Sequence, residues 1–127
     1  MLAGPPGFGY ARRSVTTPAR IYMASPLGFS EAGRHFYGGV LIPFVRSLGF
    51  EVLDPWALAD PGKIDAVKAL PRGPAKRDAW RILNHEMGAA NRKAIDSAAG
   101  IVAVLDGTDV DSGTATEIGR ASCRERV

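Results

Sequence analysis

The chain has 127 residues, 46% of them hydrophobic and 23% charged, which suits one domain around a single core. No apolar run is long enough to span a bilayer and no signal-peptide pattern occurs, so no membrane partner and a cytoplasmic location are expected. One cysteine, Cys123, forbids an internal disulfide, and His35 and His85 lack partners at ligand spacing, so neither a metal nor a cofactor is expected. The net charge of +3 sits at the ends: residues 1–19 and 120–127 carry +2 each and the middle carries −1, which argues against a nucleic-acid partner.

Residues 1–19 are rich in Gly and Pro, lack a hydrophobic period and read as a disordered leader. The Gly7-Phe8-Gly9 triplet neither follows a strand nor opens a helix, so it gives no dinucleotide fingerprint. Arg20–Ala24 (RIYMA) reads as a short first strand, Ser25 to Phe29 as a loop, and Ser30 as the cap of a helix. On that helix Phe36, Val40, Phe44 and Leu48, interleaved with Tyr37, Leu41 and Val45, make one apolar face at helical spacing. Pro43 is expected to kink or divide the helix, and Gly49 to end it in a left-handed cap.

Residues 50–53 form the second expected strand, closed by Asp54-Pro55-Trp56. A proline-rich stretch with mixed charge leaves room for a short helix near 64–70. A long helix over about 75–98 carries Trp80, Leu83, Met87, Ala90, Ala94 and Ala98 along one side. It feeds a third strand, residues 101–105, whose unbroken β-branched run is typical of a strand buried on both faces of a parallel sheet. Alternating strands and helices predict an α/β fold with right-handed crossovers. Three strands are few for such a domain, so the fold is expected to be truncated after the third.

The rest of the chain is organised around residues 100–117, GIVAVLDGTDVDSGTATE. The third strand ends at Asp106-Gly107, and Asp111 or Ser112 caps a new helix that brings Glu117 in early. Ligands of open α/β sheets bind beyond the carboxyl ends of the strands, which is where Asp111 and Glu117 are delivered. The last ten residues, IGRASCRERV, match one reading frame of a widely used short-read sequencing adapter. The natural sequence is therefore expected to be recorded only to about Glu117, with 118–127 not biological and the chain as written inactive.

The strand IYMASP, the strand end LDPW, the helix segment around Asn91 and above all VAVLDGTDVDSGTATEIG together resemble the nucleoside 2-deoxyribosyltransferases, over residues 20–119. The resemblance implies a flavodoxin-like three-layer fold with a parallel sheet, and exchange of the base on a 2′-deoxyribonucleoside. Close relatives instead hydrolyse the glycosidic bond of deoxynucleoside monophosphates. By position, Glu117 matches the family's nucleophile, Tyr22 the tyrosine that orients it, and Asp111 an aspartate that contacts the deoxyribose. Asn91 stands where many members have an aspartate associated with the base and its proton; an amide can hydrogen-bond a base but cannot protonate it. The implied partners are a deoxynucleoside and a free nucleobase. The implied assembly is a homo-oligomer in which a neighbouring subunit completes the site.

Cleaving an N-glycosidic bond develops positive charge on the sugar, and a facing carboxylate stabilises it or bonds to it, as in retaining glycosidases. Phe29, Trp56 and Leu27, at strand ends, are the candidates to pack on the base. Each of these residues also has a plain reading. Glu117 is a first-turn glutamate favoured by the helix dipole, Asp111 an N-cap, and Tyr22 a core aromatic with a satisfied hydroxyl. Asn91 reads equally as a solvated helix residue, Phe29 and Trp56 as core, and Asp54, Asp106 and Asp109 as turn residues. A non-catalytic nucleotide-binding module with phosphate contacts at 25–28 or 112–114 is the alternative from another class.

Overall fold

The computed structural model describes residues 16–107 and 109–124; the expected leader, apart from 16–19, and the last three residues of the adapter-like tail lie outside them. Three parallel strands, β1 (Arg20–Ala24), β2 (Glu51–Leu53) and β3 (Gly100–Ala103), form one sheet in the order β2-β1-β3. Tyr22 sits opposite Leu53 on one side and Ile101 on the other. The central strand is thus the one that carries the candidate tyrosine.

Alternation along the strands builds two apolar layers. Tyr22 and Ala24 point to one face with Leu53, Ile101 and Ala103, and are covered by Ala94, Ile95, Ala98 and Ala121. Met23 points to the other with Ile21, Val52 and Val102, under Tyr37, Ile42 and Val45. The first cover comes from the long helix α5 (Pro74–Ser97) and the helix that ends the described chain, here called α6 (Ser112–Arg124). The second comes from α2 (Ile42–Ser47) and from the turn that joins it to α1 (Glu31–Phe36), where Tyr37 lies. The arrangement is a three-layer, flavodoxin-like α/β fold with a three-stranded parallel sheet.

Between α1 and α2 lies a π-helical turn, Tyr37–Leu41. It corrects the expected apolar face. Tyr37, Ile42 and Val45 are buried, whereas Phe36, Val40, Phe44 and Leu48 are each more than half exposed. The physical reason is Pro43, which has no N–H to give and whose ring crowds the preceding turn. The backbone widens there, the Ile42 N–H reaches back to the Tyr37 carbonyl, and the extra residue rotates the second half of the helix. Core spacing becomes five residues across the turn, from Tyr37 to Ile42. Gly49, at φ +90°, then ends the segment as expected.

Two short helices, α3 (Pro55–Leu58) and α4 (Pro61–Ala69), link β2 to α5, each opened by an aspartate whose carboxylate accepts backbone N–H groups: Asp54 and Asp60. The third strand also departs from expectation. Its four residues are only half-buried and Leu105 is 58% exposed, because β3 is an edge of the described sheet with β1 as its one neighbour. No described helix is long and apolar enough to cross a membrane.

Candidate active site

The site is built at the carboxyl ends of β1 and β3. Tyr22 is completely buried in the central strand, yet its ring is long enough to reach the layer above. There its hydroxyl donates to Glu117 Oε1 at 2.6 Å, across 95 residues of sequence. Glu117 is presented by the second turn of α6, and that helix is fixed at its start by Asp111. Asp111 Oδ2 accepts the Thr114 N–H at 2.9 Å and the Thr114 hydroxyl at 3.3 Å, and Thr114 is buried. Of the two expected caps, Asp111 is therefore the one used.

Burial pushes the Glu117 carboxyl above the usual carboxylate range, and nearby Asp111 adds to that; the Tyr22 hydrogen bond opposes both. The Tyr22 phenol is raised, first by its own burial and then by its bond to Glu117. Tyr22 therefore remains a proton donor, and Glu117 an acceptor held at one oxygen. A cavity of about 780 Å³ opens on Glu117 between α5 and α6. Asn91, Arg92, Ser112 and Thr116 also line it. Asn91 and Glu117 are thus brought to one space; Asp111 does not line it and is tied to the site only as the cap of α6.

The two aromatic candidates are brought to each other instead. Phe29 and Trp56 meet edge to face with ring centroids 4.9 Å apart, and neither lines the cavity that holds Glu117. Phe29 is 74% exposed and Trp56 39%. Trp56 lies on the backbone of the β1–α1 loop: a Cβ placed on Gly28 would fall 2.1 Å from Trp56 Cε2. Leu27 sits in the same loop, where its N–H donates to Ser25 Oγ at 3.1 Å. The turn residue Asp54 also does more than turn the chain. Its Oδ1 accepts both the Tyr37 hydroxyl at 2.9 Å and the Trp56 N–H at 3.0 Å.

Tyr37 is the site neighbour that pattern reading missed, because a tyrosine at helical spacing reads as core. The signal available was its hydroxyl, which a buried residue must satisfy. Asp54 raises the Tyr22 phenol and Glu117 raises that of Tyr37, so the two phenol–carboxylate pairs feel one another.

A family model described as nucleoside 2-deoxyribosyltransferase matches residues 21–127. The chain belongs to the nucleoside 2-deoxyribosyltransferase family. The match begins one residue before Tyr22 and runs through β3 and α6, so it includes every element that carries the geometry above. Membership supports a nucleoside 2-deoxyribosyltransferase-like function, of the glycosyltransferase type, on small nucleoside substrates. No curated protein matches the chain with significance.

Proposed function

We propose that the protein cleaves the N-glycosidic bond of a 2′-deoxyribonucleoside and passes the sugar to another base through an ester on Glu117. The observation that carries this reading is the 2.6 Å hydrogen bond from the Tyr22 hydroxyl to Glu117 Oε1 at the edge of the cavity between α5 and α6. In the first step a Glu117 oxygen bonds to C1′ of the sugar, and the base leaves with the electron pair of the glycosidic bond. In the second, a nitrogen of the incoming base bonds to C1′ and the carboxylate is released, so configuration is retained.

Tyr22 holds one carboxylate oxygen and leaves the other for attack. Partial burial works in the same direction, since a less hydrated carboxylate is a better nucleophile once ionised. Asp111, anchored at the α6 start, is proposed to contact the sugar through the oxygen its cap does not use. Asn91 is proposed to hydrogen-bond the base edge. It has no acidic proton, so protonation of the leaving base falls to water in the open cavity.

Incubating the full-length protein with a deoxynucleoside, with and without a second base, tests this reading. Formation of the new deoxynucleoside only when the acceptor is present supports transfer. Release of free deoxyribose at the same rate in both samples assigns the protein as a hydrolase. Binding without any cleavage leaves the non-catalytic module.

A further inference from the structure

We infer that Arg92 is a specificity-determining residue for the base, its guanidinium reading the O6 and N7 edge of a 6-oxopurine; this rests on the transferase reading above. Arg92 lines the cavity that holds Glu117 and follows Asn91 directly on α5. Its side chain leans back along the helix: a Cβ placed on Gly88 would fall 3.4 Å from Arg92 Nη1. Gly88 lines the same cavity, so the guanidinium lies along a wall where a larger residue would compete for its space. The other cation of the cavity is already engaged. Arg120 Nε donates to Asp96 Oδ1 at 2.9 Å, and Arg120 Nη2 donates to Asp96 Oδ2. Arg92 is exposed, and among the described residues none pairs with its charge.

A guanidinium is always charged and only donates, through N–H groups set in a planar fork. It is best matched by two acceptors side by side in one plane. A 6-oxopurine offers O6 beside N7, whereas adenine sets an amino donor beside N7 and cytosine has an amino donor in the corresponding place. The Asn91 amide both donates and accepts, so it serves any base and discrimination falls to Arg92. The same contact assists bond cleavage. The base departs with the electron pair of the glycosidic bond, and the negative charge spreads onto O6 and N7, where the guanidinium stabilises it. The base then takes its proton from water, which suits a site whose Asn91 has none to give. A phosphate is the other group a guanidinium commonly takes. The start of α6 argues against one here, because its Thr114 N–H is already given to the Asp111 carboxylate, whose charge repels a second anion.

The test compares the full-length parent, Arg92→Gln and Arg92→Lys on deoxyinosine and deoxyadenosine, each with and without a 5′-phosphate. The parent is expected to favour deoxyinosine in kcat/KM by roughly 10- to 100-fold, the discrimination of one bidentate pair. Arg92→Gln is expected to lose that preference through deoxyinosine alone, with deoxyadenosine held within about twofold and the melting temperature unchanged. Lysine keeps the charge without the fork, so Arg92→Lys is expected to lose most of the preference as well. A parent without preference, equal losses on both bases, or full preference in Arg92→Lys would overturn the proposal. So would a loss confined to the 5′-phosphorylated forms, which puts Arg92 on the phosphate. Should the parent cleave neither nucleoside, the transferase reading fails, and equilibrium dialysis of the same two nucleosides still decides the role of Arg92. Tighter binding of deoxyinosine that Arg92→Gln abolishes supports it, and equal binding of the two overturns it.

Discussion

Glu117 is asked to be both a buried acceptor and an anion, and its surroundings set the pH at which it can be the second. Because burial raises its pKa, the acid limb of kcat/KM should lie above the ordinary carboxylate range. The Tyr22 hydrogen bond is the one contribution that lowers this pKa, so Tyr22→Phe should move the limb further up while reducing the plateau. A pH–rate profile of the two proteins checks both. The stability consequence has a definite sign. A carboxyl whose folded pKa is raised contributes stability below its unfolded pKa, and that contribution is lost as pH rises through the folded value. Glu117→Gln should therefore melt higher than the parent at neutral pH and equal to it well below pH 4.5, the ordinary value. Asp111 carries a separable pair of roles. If it only caps α6, Asp111→Asn should match the parent in both melting temperature and rate, and Asp111→Ala should cost about 1 kcal/mol of stability. Sugar contact through the ionised oxygen predicts that Asp111→Asn keeps its melting temperature and still loses turnover.

At the scale of elements, the π turn is where pattern and structure part. Helical spacing groups Phe36, Val40, Phe44 and Leu48 with the interleaved Tyr37, Leu41 and Val45 on one apolar face. Nothing in a 3.6-residue period says which edge of that face meets the sheet, and one inserted residue changes the answer halfway along. Pro43 was the readable sign of a break, and Gly38-Gly39 beside it supplies a backbone free to widen. Two substitutions distinguish the faces by thermal melting. Ile42→Ala should cost about 2–4 kcal/mol, the range for truncating a buried aliphatic side chain. Val40→Ala, at a position 54% exposed, should change stability by less than about 0.5 kcal/mol. The caps at Ser30 and Asp111 were legible from residue type, while Asp54, read only as a turn residue, and Asp60 prove to cap helices as well.

For the whole molecule, the parallel α/β class was legible because alternating apolar strands and amphipathic helices admit few packings, whereas the order β2-β1-β3 comes from the structure. Once β1 lies between β2 and β3, Tyr22 and Ala24 are committed to the α5–α6 layer and Met23 to the α1–α2 layer. The partnership of Tyr22 with Glu117 could not be read from spacing. It depends on the depth of one ring in the central strand and the pitch of one helix ninety-five residues away. The resemblance to the family supplied it, and the 2.6 Å contact gives it a geometry. Phe29 and Trp56 were legible only as residue types: they find each other and not the cavity, with Asp54 accepting the Trp56 backbone N–H and the indole lying over Gly28 of the β1–α1 loop.

The central claim is that Glu117 becomes covalently bonded to the sugar, and mass spectrometry of the intact protein tests it most directly. The protein is mixed with a deoxynucleoside in the absence of an acceptor base, quenched in acid, weighed and then mapped by peptide. The account predicts a mass gain of one deoxyribosyl unit on the peptide carrying Glu117, base released in step with it, and loss of both signals in Glu117→Gln. Sustained transfer by folded Glu117→Gln, or a deoxyribosyl unit mapped to another residue, would contradict it.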